Sequence, residues 1–246
     1  MVMGESCLNC ENPVTEKFCG ICGHNQELKR IDKSYAFQEL LNLIGIEKGF
    51  LFSCKELLIK PGITIQEYIN KNRQRVTKPI TFLIISSVIY TLIYHYFKTE
   101  NPYSELSKKM YGDSSINNIM NWIQENYGYA NLIMILPITL WSMLLFSKYK
   151  YNFYETFVLI CFVMGMGMLI FSLEPILNWF SIKTFFINES IVLIIAFLYM
   201  GWAIGQSYEK KIINYIKGIF TYSLGFITFQ IVTFGIGLAY DIIKNK

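Results

Sequence analysis

Charge is scarce in this sequence. Asp, Glu, Lys and Arg make up only 16% of its 246 residues, while 53% are hydrophobic and 16% aromatic. Soluble domains carry roughly 25% charged residues, so the deficit argues against a water-dissolved fold, and the apolar excess excludes disorder. Histidine is also rare, with two in the chain. No G-x-S-x-G, H-E-x-x-H or phosphate-loop motif occurs, which leaves no recognisable catalytic constellation. The chain reads as a non-enzyme.

What stands in place of charge is long, uninterrupted hydrophobicity. Crossing roughly 30 Å of hydrocarbon takes about 20 residues of helix. Five segments reach about that length without one Asp, Glu, Lys or Arg: 79–97, 128–147, 156–173, 190–208 and 218–240. They show no ten-residue alternation, and a span must satisfy its own backbone hydrogen bonds, so they predict helices rather than a barrel. The expected fold is an all-α integral membrane bundle of five transmembrane helices over 79–246. An odd number of spans puts the termini on opposite sides. Of the 22 Lys and Arg, sixteen fall on the N-terminal side, with Lys71, Arg73, Arg75 and Lys78 directly before the first span. Basic flanks stay in the cytoplasm, so the N-terminus is expected inside and the C-terminus outside. Residues 1–33 contain no apolar core of a cleavable signal.

The front of the chain holds a second pattern, Cys7-x-x-Cys10, then eight residues, then Cys19-x-x-Cys22. Two such turns place four thiolates around one Zn²⁺ at about 2.3 Å, with Gly20 and Gly23 letting backbone amides approach the sulfurs. A closed four-Cys site has no open position, so the metal is read as structural. It supplies folding energy that a ribbon over 1–28 cannot obtain by burying surface. Two disulfides are the alternative, disfavoured on a reducing cytoplasmic side. Binding of nucleic acid is not expected, because the ribbon sets Glu5, Glu11 and Glu16 against Lys17 alone. His24 is read as lying outside the ligand set.

Residues 29–78 read as amphipathic helices. Tyr35, Phe37, Leu40, Leu41 and Ile44 recur at helical spacing, and a second stripe uses Phe50, Cys54, Leu57 and Leu58 with Lys55 and Glu56 opposite. Pro61-Gly62 stops that helix, and Thr64 with Glu67 reads as a capping box opening a third. These helices either settle at the headgroup boundary or pack on the ends of the spans. In the first case Lys71, Arg73, Arg75 and Lys78 bind an anionic membrane surface, each contributing on the order of 1 kcal/mol.

Glu47-Lys48-Gly49-Phe50, Leu57-Leu58-x-x-Pro61-Gly62, Glu67-Tyr68-Ile69 with Arg73, and Lys78-Pro79-Ile80-Thr81-Phe82-Leu83 entering a span follow the cysteine pairs in order. This order resembles a bacterial membrane family catalogued as domain of unknown function 3667, with a zinc ribbon before several membrane helices. The resemblance implies that architecture and a bacterial cytoplasmic (inner) membrane, and no activity.

Inside the spans the polar content is thin. Gln230 in the fifth is expected to bond to another helix, with a substrate contact as the alternative. Gly201-x-x-x-Gly205 allows close helix approach, either within the chain or between copies as a homo-oligomer. Met164, Met166 and Met168 do not share one helical face and read as packing residues. His95 reads as an interfacial side chain, and Cys54 and Cys161 as small hydrophobes. On the outer side, Ile116, Ile119, Met120 and Ile123 predict a short surface helix. Glu174, Glu189 and Asp241 gather at neighbouring helix ends, read as solvated termini with a cation-attracting mouth as the alternative. The expected partners are membrane lipids and a cytoplasmic protein. The functional expectation is a protein- or lipid-interaction, sensing or assembly module, the alternative being a transporter, channel or lipid-handling protein regulated through the ribbon.

Overall fold

The structure is a computed structural model; it describes residues 5–7, 10–14, 18–22, 49–97, 108–112, 114–180 and 184–244. The chain divides into two units, Met1–Ile44 and Gly45–Lys246. His24 and the helix expected at 35–46 lie outside the described residues.

In the first unit two short strands, β1 (Glu5–Ser6) and β2 (Pro13–Val14), pair antiparallel with Glu5 opposite Val14 and Ser6 opposite Pro13. A turn of the chain closes between them as the Cys7 N–H donates to the Asn12 carbonyl at 2.8 Å and the Glu11 N–H to the Cys7 carbonyl at 2.9 Å. Glu11 carries the left-handed backbone of this turn, with φ 58°, a conformation that costs a non-glycine residue energy and persists only where the surroundings fix it.

The second unit is helical throughout its described elements. α1 (Gly49–Ile59) and α2 (Pro61–Asn70) precede α3 (Pro79–Tyr96). Next come α4 (Ser115–Glu125), α5 (Tyr127–Leu145), α6 (Phe153–Phe171), α7 (Leu173–Phe180), α8 (Phe185–Tyr208) and α9 (Ile212–Lys244). Five stretches are long and apolar enough to cross a membrane: Pro79–Tyr96, Tyr127–Leu145, Phe153–Phe180, Phe185–Tyr208 and Ile212–Lys244. Each contains or closely overlaps one of the five charge-free runs. The third is α6 and α7 in succession, parted at Ser172, whose hydroxyl donates to the Leu169 carbonyl at 2.6 Å, just before Pro175 removes a ladder donor. α9 runs 33 residues, roughly 50 Å at about 1.5 Å per residue, so its ends extend beyond a hydrocarbon layer of about 30 Å.

The bundle is apolar on its surface as well as in its core. Ile80, Ile84, Val88 and Leu92, spaced by four, form an exposed stripe on α3, and Ile133, Leu136, Leu140 and Leu144 do the same on α5. Such continuous exposed apolar stripes suit a lipid solvent. α6 is the most enclosed helix, with Cys161, Met164, Met166 and Met168 all buried. The methionines therefore serve as core packing, and Gly167 leaves the room that the Met200 sulfur occupies.

Small residues set the helix crossings. A Cβ at Gly201 would run into Ile219, one at Gly205 into the backbone of Asn214 and Tyr215, and one at Gly218 into the Gly201 carbonyl. The G-x-x-x-G of α8 thus seats α9 of the same chain, and its expected alternative as a contact between copies is not how it is used here. Gly225 admits Ile138 in the same manner, and beside it the Trp141 indole N–H donates to the Thr228 hydroxyl at 2.9 Å. The surface helix expected near 115–126 is α4, capped by Ser114 and packed through Ile116 and Ile123. Gly237 of α9 lies against Ile116.

α1 and α2 pack on the ends of the spans. Tyr199 donates its hydroxyl to the Leu57 carbonyl at 3.0 Å, and the Gly62 N–H donates to Gln206 Oε1 at 2.8 Å. Gln66 Nε2 donates to the Ser207 carbonyl at 2.9 Å. Two local readings need correction. Pro61-Gly62 does not merely stop α1, because Pro61 is the first residue of α2, where its missing N–H has no cost. Thr64 is accordingly inside α2 and no cap; its hydroxyl donates to the Lys60 carbonyl at 3.0 Å. Glu56 lies on the buried face of α1 with Phe50 and Leu57 rather than opposite them.

Candidate functional sites: a four-cysteine cluster and an aromatic, acidic cavity

Cys7, Cys10, Cys19 and Cys22 come together with all four sulfurs within 4.8 Å of one another. The Cys7 and Cys22 sulfurs are 3.5 Å apart and those of Cys10 and Cys19 3.6 Å. A tetrahedron with arms of about 2.3 Å has edges of about 3.8 Å, so the cluster has the dimensions of a four-thiolate metal site. None of the four is joined in a disulfide. Asn12 Nδ2 donates to Cys10 Sγ at 3.4 Å, and this bond, with the Asn12 backbone, holds the Cys10 thiol below its ordinary value. A lowered pKa favours the thiolate, the form that ligates metal. The left-handed residue of the turn is Glu11; Gly20 has open space around it, and Gly23 lies outside the described residues. Among the described residues this is the one cluster of three or more His, Cys, Asp or Glu able to hold a metal ion.

The four cations before the first span do not behave alike. Lys71, Arg73 and Lys78 are exposed. Arg75, although exposed on one side, ties α1 to α2: its Nη2 is 3.3 Å from Glu56 Oε2, its Nη1 is 2.8 Å from Glu67 Oε2, and its guanidinium stands 5.4 Å from the Phe52 ring centroid. Lys60 completes the pairing of Glu56 at 3.0 Å.

At the opposite end of the bundle the helices line an open-mouthed cavity of about 280 Å³. Its walls include Tyr90 and Tyr94 of α3, Tyr127 of α5, and Tyr222 and Phe229 of α9, with Gln124 of α4, Glu174 of α7, Glu189 of α8 and Gln230 of α9 as polar members. The rings brace one another: Tyr90 stacks on Tyr94 at 6.0 Å, meets Tyr127 at 5.7 Å, and Phe197 meets Tyr222 edge-on at 4.6 Å. Glu174 is oriented by Asn178 Nδ2 at 3.1 Å, and Asn188 Nδ2 in turn donates to Asn178 Oδ1 at 3.1 Å, linking α7 to α8. The Gln230 side-chain oxygen is buried with no hydrogen-bond partner. It therefore does not make the interhelical bond expected of it, although the residue lines the cavity.

The carboxylates expected at neighbouring helix ends divide. Asp241 accepts the Ser115 N–H with both oxygens, each at 3.1 Å, and so serves the start of α4. Glu174 and Glu189 instead sit inside helical spans that are longer than the charge-free runs, and both line the cavity. In α3 the Ser86 hydroxyl donates to the Phe82 carbonyl at 2.8 Å. His95, exposed, bonds the Thr91 carbonyl at 2.8 Å.

Residues 47–91 match the family model described as Protein of unknown function (DUF3667). No curated protein and no solved structure matches the chain. The DUF3667 segment takes in α1, α2, the Arg75 loop and most of α3, so it coincides with the docked helix pair and its ion pairs. It contains Gly62, where a Cβ would collide with the Gln206 backbone, and one cavity residue, Tyr90. The four cysteines lie outside it. Neither Tyr90, Tyr94, Tyr127 and Tyr222 nor their grouping is legible as a site from sequence; the available signal is Tyr90, Tyr94 and Tyr127 near adjoining ends of the first two spans, with Glu174 and Glu189 at the ends of later runs.

Proposed function

We propose that this protein is a non-enzymatic multi-pass protein of a bacterial inner membrane, in which the bundle binds a small molecule and the ribbon, held by one structural Zn²⁺, contacts a cytoplasmic protein. This is the sensing reading with a small molecule as what is sensed, and the observation that supports it is the cavity walled by Glu174, Glu189 and Gln230. A bundle used only as an anchor has no need for two carboxylates at one void, since intramembrane polar groups are costly and usually functional. Zinc is the metal of choice for four thiolates in a closed tetrahedral site. The basic bias of the N-terminal side supports a cytoplasmic ribbon, which places the cavity toward the outer face. Lys71, Arg73 and Lys78 are suited to anionic headgroups, while Arg75 is occupied by its carboxylate pairs.

The test is extraction. Small molecules recovered from protein purified in its native lipids are compared with those from Leu193→Trp, which fills the cavity from a half-exposed wall position. A species present in the parent and missing from the variant supports the reading; identical extracts contradict it.

A further inference from the structure

The chemistry of the cavity wall narrows what it takes. Resting on the reading that the cavity holds a small molecule, we infer that its ligand is an organic cation: an ammonium or amidinium group seated between Glu174, Glu189 and the tyrosine rings, with a compact apolar substituent against the phenylalanines.

Three observations converge on that class. First, sign: the ionisable residues lining the cavity besides tyrosine are Glu174 and Glu189, and no Lys, Arg or His is among the lining residues. An anionic ligand would meet only like charge. Second, surface: Tyr90, Tyr94, Tyr127, Tyr222 and Phe197 present aromatic rings, whose faces attract cations, and an aromatic cage is the common receptor for alkylated ammonium groups. Third, coordination: a hard divalent ion wants six or more oxygens, and these two carboxylates belong to no described cluster of three or more metal-ligating side chains. At about 280 Å³ the cavity is near the lower end of ordinary ligand sites, about 300–1,000 Å³, a size that fits a single small amphiphile.

The probe pair is benzyltrimethylammonium and its uncharged isostere neopentylbenzene, measured for affinity to the full-length, zinc-loaded protein in nanodiscs. Glu174→Gln, Glu189→Gln and Leu193→Trp are tested in parallel. The inference expects the cation to bind at least tenfold tighter than the isostere. Each Gln variant should weaken the cation at least tenfold and leave the isostere within about twofold, and Leu193→Trp should abolish both. Equal binding of the two probes, unmoved by either Gln variant, overturns the cation assignment while leaving a ligand cavity standing. Binding of neither probe, or binding that survives Leu193→Trp, overturns both the assignment and the reading beneath it. Unchanged zinc content and elution volume identify variants that fold; Glu→Gln preserves shape and keeps the charge comparison interpretable.

Discussion

Arg75 and Glu56, nineteen positions apart, meet at 3.3 Å and fasten the loop before the first span to the buried face of α1. Glu56 is 9% exposed, and a carboxylate so placed is tolerable only while paired. Arg75→Ala removes the contacts to both Glu56 and Glu67, whereas Lys60→Ala leaves Arg75 on Glu56. We expect Arg75→Ala to cost about 1–2 kcal/mol and Lys60→Ala less than about 0.5 kcal/mol. Limited proteolysis between residues 49 and 78, followed against thermal unfolding in detergent, checks the order; a larger effect for Lys60→Ala would contradict it.

Two glycines of α9 make a matched pair. Gly218 is pressed against the Gly201 carbonyl, while Gly235 has nothing within 4 Å of its Cβ position. Gly218→Val should lower the unfolding temperature by several degrees through overpacking of about 1–3 kcal/mol or more. Gly235→Ala should be neutral or stabilise by up to about 1 kcal/mol. Thermal scans of the two variants beside the parent read the difference directly.

Burial pushes the Cys54 thiol on α1 up to about 11. An acid raised in this way stays neutral until the pH approaches its new value, so at pH 8 only about one molecule in a thousand carries the reactive thiolate. Maleimide labelling of the Cys54 peptide, followed by mass spectrometry on folded, zinc-loaded protein, should be barely detectable at pH 7 and rise about tenfold per pH unit up to pH 10. Fast labelling at neutral pH would show that α1 is not seated as described.

The four-cysteine cluster predicts about one zinc per chain by elemental analysis of purified protein. Cys10→Ser should reduce that to near zero and expose the ribbon to protease, because metal binding supplies most of the folding energy of so small a unit. The bundle should still insert, since the spans owe nothing to the metal. Full zinc retention in Cys10→Ser would rule out the four-thiolate site.

The legible parts of this molecule were those whose physics is local. Five runs without charge announced five spans, two Cys-x-x-Cys turns announced a metal-sized cluster, and Ile116, Ile119 and Ile123 announced α4. The missed parts depend on partners far along the chain. Glu56 looks solvent-facing until Arg75 returns to neutralise it, and Thr64 looks like a cap until Pro61 is seen to open α2 three residues earlier. Glu174 and Glu189 look like helix ends because the runs stop there, yet the helices continue and carry both carboxylates to a void. Gln230 reads as a bond to another helix, and only the packing of seven helices shows it in the wall of a cavity instead.

Five spans, with the ribbon inside and the cavity toward the outside, is the claim on which the rest stands, and paired topology reporters test it most directly. A reporter active only in the cytoplasm, fused before Met1, should give full signal, and one active only outside, fused after Lys246, should do the same in the same cells. Signal from both termini on one side would mean an even number of crossings and would contradict the account.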